Sequence, residues 1–464
     1  MASWSIIEKK MVENGVARSA VLAFRAAWES LQAGQDVMLP ESAIQPVEGL
    51  PNYNELADTV TSEIQPLVDQ TVILKLNGGL GTGMGLERAK SLLPLRDGLT
   101  FLDLILRQID YLRKAGCGDP AFVLMNSFST SEDTMVHLKT KNADGVAELM
   151  QNRVPKIAVD SLLPVEWPEQ PSMEWCPPGH GDIYAAIRDS GMLEYLLREG
   201  RRYLFVSNAD NLGAILDTRL LGWFAESGLP FVMEVTPRTG ADRKGGHLAR
   251  SSSDGRLLLR ESAQCPECDA EAFQDIERHR CFNTNNLWIR LDALKTALDA
   301  CDGALPLPVI RNQKTVDPRD GKSQKVWQLE TAMGAAISCF REAGAIVVPR
   351  TRFAPVKTTA DLLAVRSDAF QVSPDGSLAL AASRNGVPPL VTLDSKHYKM
   401  VDQLDTCLAN GVPSLLECKS LNVEGPVVFA AQAVFAGEVT ISNTGPSTAT
   451  VPGGRHQDKV LKLD

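Results

Sequence analysis

The chain has 464 residues, too many for one ordinary hydrophobic core, so two or three domains are expected. A composition of 44% hydrophobic and 22% charged residues excludes a disordered chain, and a formal net charge of -10 excludes a general nucleic-acid binder, which needs clustered cations. An anionic small substrate stays compatible with that charge if cations gather locally. Nine scattered cysteines read as free thiols of a reducing compartment rather than a disulfide framework. The opening MASWSIIEKKMVENG lacks a signal peptide's apolar core and carries acids, unlike a transit peptide, and no apolar run spans a bilayer. The expectation is a cytoplasmic protein without a membrane or nucleic-acid partner.

Residues 1–60 read as a helical lead-in. Val21, Phe24, Trp28 and Leu31 recur at steps of three and four, which makes one helical face apolar, and Gly34 is a stop signal. LPESAIQPVEGLPNY, with its prolines, reads as a connector. From about 71 to 350, short apolar strands alternate with helical patterns. The predicted strands are Thr71–Leu76, Ala121–Met125, Tyr203–Val206, Phe231–Val235, Leu287–Ile289 and Ala345–Val348; the predicted helices are Phe101–Lys114, Asp182–Arg198 and Leu329–Glu342. This alternation predicts an α/β domain, residues 61–384, with a mainly parallel sheet and its ligands at the carboxyl ends of the strands. From 385 to 464 the pattern changes to short β-rich runs broken by glycines, as in VEGPVVFAAQAVFAGEVTIS, and a small β domain of coil-like character is expected without a strict repeat.

Two polar segments follow strands directly. In LKLNGGLGTGMGLERAKS, residues 74–91, five glycines fall between Gly78 and Gly85, which lets backbone N–H groups approach an anion or a flat base. No GxxxxGK[ST] is present, and Met84 occupies the third glycine position of a dinucleotide fingerprint. Lys90 follows the loop and can meet a phosphate. In SNADN, Asn208 and Asp210 end a strand; alone they read equally well as an Asx turn or as a metal and sugar site.

LNGGLGTGMGLERAKS resembles the signature loop of the eukaryotic-type UDP-glucose pyrophosphorylase family. QNRVPKI, CPPGHGDIY, VSNADNLGA, EVTPRTGADRKGGHL, FNTNNLW, QLETAMGAAI and TRFAPVKTTADLL follow in the family's order, and LDSKHYK extends the likeness into the tail. Proline usually precedes the loop lysine in the family; here it is Ala89. The resemblance implies a glycosyltransferase-A-like nucleotidyltransferase domain, a helical N-terminal part and a C-terminal left-handed β-helix.

It also implies roles. The nucleotide falls to Leu76, Asn77, Gly78, Gly79, Gly81, Thr82, Gln151, Gly179, His180 and Gly181, with Gln151 reading the uracil edge because an amide both donates and accepts. Asn208, Glu261 and Asn285 are sugar-side, Lys90 and Lys357 meet phosphates, and Asp210 holds Mg2+. Read alone, His180 is a turn histidine and Lys357 a surface charge. Lys244, Arg350 and Arg352 add local charge or are surface residues. The implied reaction is UTP plus glucose 1-phosphate giving UDP-glucose and pyrophosphate, reversibly, by in-line attack on the α-phosphorus. A UDP-N-acetylhexosamine or broad UDP-sugar pyrophosphorylase is the nearest alternative; Gly83 and Met84, where the former usually carries arginine, favour glucose. A non-enzymatic UDP-sugar binder and a nicotinamide oxidoreductase are the others, disfavoured by the retained Lys90, Asp210 and Lys357 and by the failed fingerprint. Cys265, Cys268, His279 and Cys281 form CxxC and HxC without a common zinc spacing, so free thiols are expected there. The tail is the candidate element for assembling a homo-oligomer.

Overall fold

The structure is a computed structural model that describes residues 2–57 and 61–463. The N-terminal helices Ala2–Glu13 and Arg18–Gln32 bury Trp4, Ile7, Val21, Phe24 and Trp28. They pack on Val154, Ile157 and Leu329, beside a small sheet of Ile157–Ala158, Val309–Thr315 and Lys325–Thr331. Trp28 Nε1 donates to Leu162 O at 2.9 Å, which pins the second helix. Gly34, at φ 60°, ends the helical stretch as expected.

A ten-stranded sheet forms the centre. Its spine is the parallel set Val146–Met150, Ala121–Asn126, Thr71–Leu76 and Tyr203–Asn208. The expectation of a mainly parallel sheet needs correction beyond this spine. Cys281–Arg290 runs antiparallel to both Tyr203–Asn208 and Phe231–Pro237, and the His247–Ser251 edge is antiparallel too, so the sheet is mixed. Hydrophobic runs reveal strands but not their direction. Gly344–Val347 pairs parallel with Phe231–Pro237 on the far side.

Helix Phe101–Lys114 spans the predicted residues. Thr100 caps it reciprocally with Asp103, and Phe101, Leu104, Ile105 and Ile109 are buried along one face. Two helix expectations are corrected. Asp182–Arg198 is two helices, Ile183–Asp189 and Met192–Arg198, broken at Gly191 with φ 73°. Leu329–Glu342 is not a helix: Leu329 lies within the strand Lys325–Thr331, and Met333–Cys339 follows as a 3-10 run. Thr331 N donates to Pro178 O at 2.9 Å, so a tertiary contact overrides the helix-forming composition of the segment.

In the tail, Leu390–Leu393, Ser414–Glu424, Ala433–Asn443 and Gly454–Leu463 stack in parallel, and Val427–Phe429 pairs parallel with Ala449–Val451. Two short helices, Ser395–Tyr398 and Val401–Cys407, went unpredicted. The tail interior, including Leu421, Phe435 and Val439, shares one apolar core with Phe101 and Leu104. Among the described residues no helix is long and apolar enough to cross a membrane.

Candidate active site

Register places the site. Leu76 lies opposite Asn208 and Met125, and Asn126 lies opposite Met150. Four parallel strands therefore end in one line, and the residues that leave them gather there: the glycine loop, Ser127, Gln151 and the segment with Asp210. A cleft of about 380 Å³ opens at this edge. Leu76, Asn77, Gly78, Gly79, Lys90, Gln151, Gly179, His180, Asn208 and Asp210 all line it.

The loop is tied down by its own backbone. Met84 N donates to Gly81 O at 2.8 Å, and Lys90 N to Gly79 O at 3.2 Å. Gly81 has φ 68°, a left-handed value that glycine adopts without strain. Ala89 has φ -51°, inside the range proline would impose, so the backbone keeps a proline-compatible shape without the ring. Asn77 is committed to structure: its amide donates to Asn126 Oδ1 at 2.7 Å and Thr134 Oγ1 at 3.0 Å. Thr82 begins the 3-10 turn Thr82–Met84; its side chain lies outside the described residues. Gly81 does not line the cleft itself.

Lys90 Nζ donates to Asp210 Oδ2 at 2.6 Å, with both side chains largely buried. Asp210 Oδ1 is buried and, among the described residues, has no hydrogen-bond partner. A buried carboxylate oxygen without a donor is costly unless a ligand completes it.

At the other end, Gln151 Nε2 donates to Gly179 O at 2.8 Å. A Cβ on Gly78 would stand 2.7 Å from Gln151 Oε1, and one on Gly179 would stand 2.4 Å from Thr331 O. Glycine at 78 leaves room for the amide, and glycine at 179 lets the Thr331 backbone approach closely. His180 Nδ1 accepts from Met333 N at 2.9 Å, which leaves the ring proton on Nε2. Burial pushes the His180 pKa down to about 4, so the imidazole is neutral at pH 7. Gly181 faces Thr331 instead, its Cβ position 2.3 Å from Thr331 Oγ1, and lines a separate cavity behind this segment.

The remaining sugar-side and phosphate positions lie outside the cleft lining. Glu261 packs against Gly246, and burial raises its pKa while nearby Lys357 opposes the rise. Asn285 has φ 59° and exchanges hydrogen bonds with Asn283 at 2.9 and 3.0 Å. Lys357 is exposed, with Nζ 5.9 Å from the Phe353 ring centroid. Its neighbour Val356 donates its N–H to Asp210 O at 3.3 Å, so this segment borders the metal candidate.

The family model for UTP–glucose-1-phosphate uridylyltransferase matches residues 23–435. The chain belongs to this family. A Saccharomyces cerevisiae UTP–glucose-1-phosphate uridylyltransferase is 42% identical over 397 residues, covering 85% of this chain and 78% of that protein. A UDP-glucose pyrophosphorylase structure from Leishmania major superposes with a TM-score of 0.94 at 48% identity, covering 100% of this chain and 99% of the other. A Trypanosoma brucei structure described as a UDP-glucose phosphorylase gives 0.93 at 47% identity, covering both chains in full, 100%. The α/β architecture is thus the family's nucleotidyltransferase fold.

Within that fold, Ser91, Met125, Pro177, Ala209 and Glu330 also line the cleft, and the sequence did not single them out. Lys75 was missed as well, although a lysine inside the apolar TVILKLN was a visible signal. It is fully buried and donates to Ser207 Oγ at 2.7 Å and Ala214 O at 2.6 Å; burial pushes its pKa down to about 7. The reading of Arg350 and Arg352 as field or surface charges is corrected. Arg350 pairs with Asp242 at 2.7 Å, and Arg352 is buried in a bidentate pair with Glu234 at 2.7 and 2.8 Å.

The cysteine cluster is turned to other partners. His279 Nε2 meets Glu41 Oε1 at 2.8 Å, Cys268 is exposed, and among the described residues no three His, Cys, Asp or Glu side chains form a metal-holding group. Metal analysis of protein purified without chelator is expected to give substoichiometric zinc. Stoichiometric zinc that disappears in Cys268→Ser would overturn that expectation.

Proposed function

We propose that the cleft holds UTP with its uracil at Gln151 and its phosphates at Lys90, while glucose 1-phosphate enters from the side of Asn208, Glu261, Asn285 and Lys357. The reaction is that of the family: UTP and glucose 1-phosphate give UDP-glucose and pyrophosphate. The observation that carries the assignment of groups is the shared strand edge. It supports this reading by bringing the Gln151 amide and the Lys90–Asp210 pair to the lining of a single cleft.

A phosphate oxygen of glucose 1-phosphate attacks the α-phosphorus of UTP. The bond from that phosphorus to the oxygen bridging the α- and β-phosphates breaks, and pyrophosphate leaves with the electron pair. Both substrates are anions, so their mutual repulsion is the main obstacle. Lys90 and Lys357 offset charge on the transferred and leaving groups. The neutral His180 keeps an N–H donor on the cleft wall.

Mg2+ is the cation we assign to Asp210. A hard carboxylate oxygen without a partner fits this ion, which commonly takes one or two protein carboxylates and fills its other positions with water and phosphate. Bound there, it would neutralise phosphate charge. We further assign a left-handed turn to the tail coil, a division at 60 and 384, a cytoplasmic location and a homo-oligomer built through the tail. Continuous parallel pairing supports the coil.

Incubation with UTP, Mg2+ and a panel of sugar 1-phosphates tests the reading, with pyrophosphate release as the signal. A higher kcat/KM with N-acetylglucosamine 1-phosphate than with glucose 1-phosphate would overturn the choice of sugar. Gln151→Ala tests the base contact. Gln151 Nε2 has a second proton for a uracil carbonyl, and Oε1 can accept from uracil N3–H. Cytosine presents the opposite pattern at N3 and at position 4 and keeps the carbonyl at position 2. The substitution should reduce discrimination against CTP by roughly 1–3 kcal/mol. Unchanged selectivity would remove Gln151 from the site.

A further inference from the structure

Buried polar atoms in a folded chain are nearly always paired, so the exceptions point to missing partners. Among the described residues, two such exceptions belong to residues that line the active-site cleft. One is Asp210 Oδ1, already assigned. The other is Ser91 Oγ, on a residue only 1% exposed. Other orphans among the described residues, such as His247 Nε2 and His279 Nδ1, do not line this cleft.

We propose that Ser91 is a substrate-binding residue whose hydroxyl donates a hydrogen bond to a phosphate oxygen of the bound nucleotide. The inference rests on the uridylyltransferase reading of the cleft.

Three observations carry it. Ser91 immediately follows Lys90 in the 3-10 turn Lys90–Leu92, so the hydroxyl and the phosphate-meeting cation share one rigid piece of backbone. That turn is fixed without help from the serine side chain. Lys90 N is bonded to Gly79 O at 3.2 Å, Leu92 N to Ala89 O at 2.9 Å, and Leu93 N to Lys90 O at 3.0 Å. A hydroxyl is therefore not needed to hold the loop, yet one is buried here at a desolvation cost. Finally, the neighbouring groups select the ligand chemistry. Lys90 attracts an anion, and a hydroxyl can donate to an anionic oxygen at any pH near neutrality, whereas ionised Asp210 can only accept.

The roles of Ser91 and Asp210 are thus complementary. The carboxylate takes the cation, and the hydroxyl takes a phosphate oxygen that the cation leaves free. On the proposed reading the base lies at Gln151 and Gly179, so the hydroxyl beside Lys90 serves the phosphates.

The test is Ser91→Ala in the full-length protein. Removing a hydroxyl that has no partner in the ligand-free chain should leave ligand-free melting unchanged or slightly raised. A structural serine would show the opposite. UTP affinity, by calorimetry at fixed Mg2+, should fall by about 10-fold or more, the loss of one hydrogen bond to a charged group. Uridine, which has no phosphate, should bind wild type and Ser91→Ala alike in an NMR titration. The Mg2+ concentration for half-maximal UTP binding should not change; a shift there with little loss of affinity at saturating Mg2+ would make Ser91 a cation ligand and overturn the proposal. Ser91→Cys, similar in size but a weak donor, should fall between the two proteins. Lower melting of ligand-free Ser91→Ala, or equal UTP affinity in both proteins, would also overturn it. Wild-type protein that fails to bind UTP would instead sink the reading of the cleft.

Discussion

Lys90→Met is expected to lower kcat by roughly 10²–10³-fold while the protein stays folded, the usual loss for one electrostatic group in a closed site. Methionine keeps much of the stem and removes only the cation. In the ligand-free cleft that cation lies 2.6 Å from Asp210 Oδ2. With both substrates bound, negative charge accumulates on the departing pyrophosphate, and on the proposed reading the same ammonium meets it. The chain's net charge of -10 leaves no general surplus of cations to compensate. If Lys90 acts mainly on developing charge, kcat falls more than KM rises. Asp210→Asn should fail differently. It keeps the shape but removes the charge that would recruit the proposed metal, so turnover should drop and need more Mg2+. The Mg2+ requirement of Lys90→Met should not rise, because the carboxylate is still present and has lost a competitor. Steady-state kinetics across a Mg2+ series separates the two. A near-normal kcat in folded Lys90→Met would show that the pair at the cleft end is only a structural ion pair.

The parts of this site that could be read from the sequence follow the strands. Thr71–Leu76 and Tyr203–Val206 are visible as apolar runs, the second strand continuing to Asn208 in the fold, and the segments after them are polar or glycine-rich. Their meeting is then forced by parallel pairing, since Leu76 lies opposite Asn208. Helix Phe101–Lys114 was equally legible, because a regular apolar face and a capping pair agree on the same residues. What was illegible depends on contacts distant in sequence. The alanine-rich TAMGAAI looks helical by composition, but Thr331 is drawn to Pro178 and the chain turns there as 3-10. Cys281–Arg290 gives no sign of its antiparallel direction. In the tail, Val423 pairs with Ile441 and Ile441 with Leu461, uneven steps of about 18 and then about 20 residues, which hides the coil from any search for a fixed period. Ser91 and Glu330 carry ordinary side chains in ordinary contexts; only the fold brings them to the cleft. Arg352 shows the reverse error, a charged residue in a loop motif that the fold buries.

The largest loss of stability is expected at that arginine. Arg352 and Glu234 form a bidentate pair with side chains 6% and 0% exposed. Glu234 also accepts from Trp288 Nε1 at 2.9 Å and Asn286 Nδ2 at 3.0 Å, so its carboxylate is held by three residues inside the sheet. Removing only the arginine strands a buried carboxylate, and breaking such a pair costs about 3–5 kcal/mol. Arg352→Met should therefore lower the denaturant midpoint strongly, with little change in the slope. Glu234→Gln added to Arg352→Met should recover part of the loss, because the uncompensated charge is gone; the two effects should not add. The same change should reach the active site. Asn211 Nδ2 donates to Arg352 O at 3.1 Å, and Ala354 N donates to Asn211 Oδ1 at 3.0 Å, so the arginine segment is bolted to the residue that follows Asp210. Folded Arg352→Met should consequently turn over more slowly than wild type even below its melting range. A double variant no more stable than Arg352→Met would show that the buried charge is not the source of the loss. An Arg352→Met protein with a wild-type midpoint would show that the pair contributes nothing net to the fold.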